Sequence, residues 1–167
     1  MGLDLSLRKT GLTVLSEYGN LLCNATLRYP LTRKRGEPPI TEAERIERLI
    51  NLTNEIVGFA KDYKVRYVAL EGYAHNKRFQ AHQIGEIAGN VKVQLWLARK
   101  ILVEVIPPST GRLHFFGYGG AKKDEIYDIV TEKLGIMVDN EDEADSYVVA
   151  RYLWDTIAKR EKKVREI

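Results

Sequence analysis

The N-terminal run of short strands constrains the fold more than any other part of the chain. "GLDLSL" (2–7) alternates, with Leu3, Leu5 and Leu7 on one side and Asp4 and Ser6 on the other, which is the period of a strand. "GLTVLSEYGNLLCNATLRY" reads as two more strands joined at Tyr18-Gly19-Asn20, a hairpin signal. After the polar loop "TRKRGEPP" (32–39), Thr41 with Glu44 forms a capping box. It opens a helix whose apolar stripe is Ile46, Leu49, Ile50, Thr53, Ile56, Val57 and Ala60. "VRYVALEGY" (65–73) reads as a strand, and Ile84, Ile87, Ala88, Val91, Leu95 and Ala98 predict a helix over roughly 79–100. "ILVEVIPP" (101–108) is a strand stopped by prolines, "STGRLHFFG" a short helix or turn, and helices follow at about 122–134 and 142–158. The order is βββ-α-β-α-β-α-α. It predicts an α/β fold with a mixed five-stranded sheet, three antiparallel N-terminal strands plus two more, and helices on both faces. The 167 residues fit one domain over 1–158 and a basic tail over 159–167.

Acids break this pattern in three places. Asp4 lies inside the first strand, Glu71 ends the fourth, and Asp142 and Asp145 open the last helix three residues apart, on one face. Each has an ordinary explanation. First-turn acids favour the helix dipole, which accounts for Asp142 and for Glu143, read here as only a first-turn acid. Glu71 can pair with an arginine, and Asp4 can sit at a solvated edge. Together these explanations weaken. Strands one and four can be neighbours in a mixed sheet, with the last helix packed across them. Converging carboxylates raise one another's pKa, so the cluster calls for hard divalent cations. Mg²⁺ takes oxygen ligands and keeps waters for phosphates. Two such ions about 4 Å apart activate a water and stabilise the leaving oxygen of a phosphodiester.

The letters DEAD at 142–145 do not make a helicase. The chain has no GxxxxGK[ST] phosphate cradle, since "GYGGAKK" lacks the hydroxyl residue after Lys. It also lacks the strand–G-x-S-x-G–helix of acyl transfer, and His75, His82 and His114 show no metal-ligand spacing. The net charge of +3 is small, but basic residues cluster in four places. These are Arg28 with Arg33, Lys34 and Arg35; Lys77 with Arg78; Lys122 with Lys123; and the tail with Lys159, Arg160, Lys162, Lys163 and Arg165. Such clusters either neutralise phosphates or form ordinary solvated surface. The single cysteine, Cys23, in an apolar strand, reads as a buried structural thiol in a reducing compartment. Gly117, Gly119 and Gly120 read first as turn residues, and Ser109 and Thr110 as helix caps. With no signal peptide and no membrane-length apolar run, a soluble cytoplasmic protein is expected.

The motifs "GLDLSLRKTGL" (2–12), "VALEGY" (68–73), "PPSTGRLHFFGYGGAKKDEI" (107–126) and "NEDEADSYVVARYL" (140–153) resemble the RuvC family of Holliday-junction resolvases. The similarity is to the shorter phage-type branch, and it spans nearly the whole chain in order. It implies an RNase H-like fold, a homodimer, and incision of four-way DNA junctions that depends on Mg²⁺, with Mn²⁺ as substitute and two ions per site. It also implies that Asp4, Glu71, Asp142 and Asp145 are the metal-holding acids and that Lys123, in the G-x-A-x-K stretch, acts near the scissile phosphate. Arg112 stands where many relatives carry Lys. Tyr73 lies near the place of an aromatic wedge, with Ala74 after it. With the basic clusters added, the expected DNA-contacting set is Tyr73, Lys77, Arg78, Arg112, Lys122, Arg33, Lys34 and Arg35. Leu5 and Ser6 replace the bacterial pattern D-P-G after Asp4. Two rivals stay open: a nuclease of this fold acting on flaps, forks or RNA–DNA hybrids, and a non-catalytic binder of branched DNA.

Overall fold

The computed structural model describes residues 1–72 and 78–165. Five strands form one sheet in the order β3-β2-β1-β4-β5: β1 Gly2–Asp4, β2 Lys9–Leu15, β3 Leu21–Arg28, β4 Val68–Glu71 and β5 Val103–Ile106. β1, β2 and β3 are antiparallel, whereas β1–β4 and β4–β5 are parallel. This is the predicted mixed sheet. The β2–β3 turn falls where the sequence placed it, with Gly19 at φ +80° and Ser16 N–H donating to Asn20 O at 2.8 Å. "GLDLSL" is shorter as a strand than its alternation implies. After Asp4 the chain turns on Ser6 Oγ, which accepts the Lys9 N–H at 3.0 Å.

Two helices, α1 (Glu42–Asp62) and α2 (Arg78–Arg99), cover one face. The main core lies between them and the sheet, with Leu3, Leu12, Val14, Val68 and Leu70 facing Leu52, Ile56, Ile87, Val91 and Leu95. The Thr41–Glu44 capping box forms as expected. The burial stripe of α1 differs from the expected one. It runs through Leu49, Leu52, Thr53, Ile56 and Ala60, while Ile46 and Ile50 are each 49% exposed. Ile46 instead borders an open groove with Leu7, Leu31, Ile40 and Ile87. Cys23 is half-buried against the same core.

On the opposite face lies α5 (Glu141–Arg165), crossing β1, β2 and β4, with α3 (Pro108–Phe116) and α4 (Lys123–Asp128) beside it. α5 continues without a break past residue 158 to Arg165. Pro107 caps α3 and Pro108 sits at its first position, where a missing N–H costs nothing. Ser109 and Thr110 therefore lie inside the helix rather than at its cap. Gly117 ends α3 in the left-handed region, as a turn residue should. The expected helix over 122–134 is two pieces, since a π-turn over Ile129–Lys133 follows α4, with Leu134 N–H bonding Ile129 O at 3.1 Å. Among the described residues no helix is long and apolar enough to cross a membrane.

Candidate active site

Strand geometry brings the first two acids together. Leu3 pairs with Leu70 across parallel β1 and β4, and both side chains enter the α1–α2 core. One residue on, Asp4 and Glu71 turn to the other face. Parallel neighbours run in the same direction, so both carboxylates leave the sheet at the same end.

Two glycines bring α5 onto that face. A Cβ on Gly2 would lie 2.4 Å from Ser146 O, and one on Gly11, the partner of Asp4 across β1–β2, would lie 1.9 Å from Asp142 O. Only bare backbone allows this approach. Asn140 caps α5: its Oδ1 accepts from Asp142 N–H at 3.1 Å and Glu143 N–H at 3.2 Å. The first turns of α5 thus place Asp142 and Asp145 over the ends of β1 and β4.

One carboxylate oxygen from each of Asp4, Glu71 and Asp145 lies within 4.8 Å of the others. Asp145 is 2% exposed. Of the four predicted ligands, Asp142 stands outside this group and is joined to it through Lys123, the first residue of α4. The Lys123 ammonium lies 3.1 Å from Asp4 Oδ2, 3.3 Å from Asp142 Oδ1 and 2.7 Å from Asp145 Oδ2. The last contact is the shortest of the three, so the Lys123 ammonium is the partner of the buried Asp145 Oδ2. On the other side, Arg112 Nη2 lies 3.6 Å from Glu71 Oε1 and 3.8 Å from Asp145 Oδ1, and its Nη1 donates to Ala121 O at 2.9 Å. Arg112, expected among the DNA-contacting residues, is placed among the acids.

Burial, then the neighbouring charges of Asp4 and Asp145, push the Glu71 carboxyl up to about 9, against the pull of Arg112. Burial also raises Asp4, with Lys123 opposing and Asp145 adding. Burial alone would lower Lys123, but Asp4 and Asp145 hold its ammonium above the ordinary value. The site is short of positive charge. Its metal-facing atoms are all carboxylate oxygens and they converge, which fits a hard divalent cation.

Glu143 is more than the first-turn acid the sequence suggested. It is 5% exposed, and both its oxygens are bonded. Oε1 accepts from Thr26 Oγ1 at 2.7 Å and Asn140 Nδ2 at 3.2 Å; Oε2 accepts from Asp139 N–H at 2.9 Å and Asn24 Nδ2 at 3.2 Å. It fastens the start of α5 to β3. Asn24 and Thr26 share one face of β3 by alternation, which was the available signal for a polar partner there.

The other expected DNA-contacting residues lie outside the acid cluster. Lys34, Arg35 and Lys122 are exposed. Arg33 is engaged locally, with Glu44 and, at 3.0 Å, with Pro38 O. Tyr73 and Lys77, like Ala74 and His75, fall outside the described residues, as does the side chain of Arg78. His114 pairs with Asp155 at 2.8 Å, away from the acids.

By sequence the chain matches no protein-family model and no curated protein. In structure it is similar to Thermus thermophilus RuvC, with a TM-score of 0.71 and 21% identity over 96% of this chain and 95% of that one. The same protein in complex with Holliday junction substrate gives 0.70 and 20%, covering 96% and 93%. The yeast mitochondrial Holliday junction resolvase Ydc2 gives 0.58 and 11%, covering 98% and 82%. Over nearly its whole length, the chain has the RNase H-like fold of the RuvC resolvases.

Proposed function

We propose that the protein is a structure-selective endodeoxyribonuclease that resolves four-way DNA junctions by paired, metal-dependent phosphodiester hydrolysis. The observation that carries this reading is the convergence of Asp4, Glu71 and Asp145 within 4.8 Å at one end of the sheet, on a fold shared with resolvases. Asp4, Glu71 and Asp145, with Asp142 beside them, would hold two Mg²⁺ ions, for which Mn²⁺ can substitute. Bound there, the metal supplies Lewis acidity toward the phosphate and a more acidic water. Arg112, fixed through Ala121 O, orients the carboxylates of Glu71 and Asp145. Lys123 is within reach of a phosphate brought to the acids and neutralises charge that develops on it. A pure DNA binder gains nothing from buried carboxylates beside phosphates, which disfavours the non-catalytic reading.

Resolution requires two cuts, hence two sites. A second copy would dock on α2, where Gly89, Val93, Trp96 and Leu97 form an exposed stripe at helical spacing, with Val93 53% and Leu97 62% exposed. Lys34, Arg35 and Lys122 are exposed cations for the phosphates of the junction arms, so affinity should fall steeply with salt.

The test is cleavage of a labelled four-way junction beside flap, fork, RNA–DNA hybrid and linear duplex, in Mg²⁺, Mn²⁺ and EDTA. Symmetric paired nicks confined to the junction, abolished by EDTA, are expected. Equal cutting of linear duplex, or cutting in EDTA, would overturn the assignment.

A further inference from the structure

We propose that Lys123 is the site's internal counter-ion. Its ammonium stands where a divalent cation must enter, so metal binding and the Lys123–carboxylate contacts exclude one another. The inference rests on the nuclease reading above and deepens it.

The geometry is that of a cation shell. A single ammonium is shared by Asp4 at 3.1 Å, Asp142 at 3.3 Å and Asp145 at 2.7 Å, acids that come from two distant segments. A magnesium ion binds oxygen at roughly 2.1 Å, so the carboxylates must draw inward as it replaces the ammonium. The two cations of the site differ in their freedom to leave. The Arg112 side chain is 20% exposed and bonded to Ala121 O, so it stays. The Lys123 side chain is 42% exposed, at the start of α4 on a flexible four-carbon stem. It can swing outward, and in doing so it delivers its charge to the side from which a phosphate arrives. The same residue thus holds the acids together in the metal-free protein and is released toward DNA by the metal.

The experiment is calorimetric titration of Mg²⁺ and of Mn²⁺ into the full chain, compared with Lys123→Met and with Lys122→Met, which removes the same charge from the exposed neighbour. Lys123→Met should bind metal about tenfold more tightly, as expected when a positive charge a few ångströms from the ion is removed. Lys122→Met should match the parent protein. The metal-free Lys123→Met protein should also melt below the parent, with the gap closing at saturating metal. Lys123→Gln gives the same comparison if the Met variant folds poorly. Unchanged or weaker affinity in the Lys123 variants, or an equal gain in Lys122→Met, overturns the inference. If the parent binds metal and the Lys123 variants show no gain, only the displacement fails. If none of the proteins binds metal, the metal site of the proposed function falls with it.

Discussion

Glu143 and Asp145 sit two residues apart in the first turns of α5, and both are buried. Four uncharged donors surround Glu143. Asp145 is bordered instead by two other acids and two cations, with the Lys123 ammonium 2.7 Å from its Oδ2. A carboxylate saturated with neutral hydrogen bonds has no capacity left for a ligand, so it serves the fold. A carboxylate crowded by its own kind carries unspent affinity for a cation. Burial alone does not tell structural acids from chemical ones; the partners do.

Removing each charge should separate the two roles. Asp145→Asn is expected to lower junction cleavage about a thousandfold, the scale of losing one group that acts on developing charge. Junction binding and thermal stability should persist or improve, because repulsion is relieved. Gel-shift and single-turnover assays on the same preparation check this, and normal cutting by the variant would sink the assignment. Glu143→Ala should do the reverse. It strands the donors of Asn24, Thr26 and Asn140 in a buried seam, at a cost of about 3 kcal/mol in stability, read by urea denaturation. The folded fraction should still cut DNA, though less well if the start of α5 loosens.

A further effect should come from pH. In the metal-free protein Glu71 holds its proton up to about 9, whereas an ordinary Glu releases it near 4.5. Between those values the native state binds more protons than the unfolded chain, so stability falls as pH rises. A decline in Tm of roughly 2–4 °C for each kcal/mol lost is expected across this window. Glu71→Gln should flatten it, and saturating Mg²⁺ should reverse it by favouring the ionised form. A Tm that rises with pH in EDTA would contradict the environment described for Glu71.

Much of this was legible in the sequence because it follows from period. The alternation that buries Leu3 turns Asp4 to the opposite face, and the helical step between Asp142 and Asp145 aligns them. What period does not carry is the partner. Glu143 lies in the same helical turn as its neighbours, and only the placement of β3 reveals Asn24 and Thr26 beneath it. Arg112 was expected as a DNA contact, and only the packing of α3 brings its guanidinium to Glu71. The closeness of α5 to the sheet was written in Gly2 and Gly11, but a glycine in a strand signals a close approach without saying to what. Ile46 and Ile50 fit the helical period of α1 and are half-exposed all the same, because period gives the direction of a stripe and not its edges.

The three converging acids stand at positions 4, 71 and 145. Contacts between such distant positions close large loops, and the entropy of closure delays them in folding. During synthesis, the chain must pass residue 145 before any constellation of the three exists. A chain cut short before residue 145 would carry one or two of the acids and no assembled site. The spacing therefore makes the site a late product of folding, complete only once the last helix has closed over the sheet.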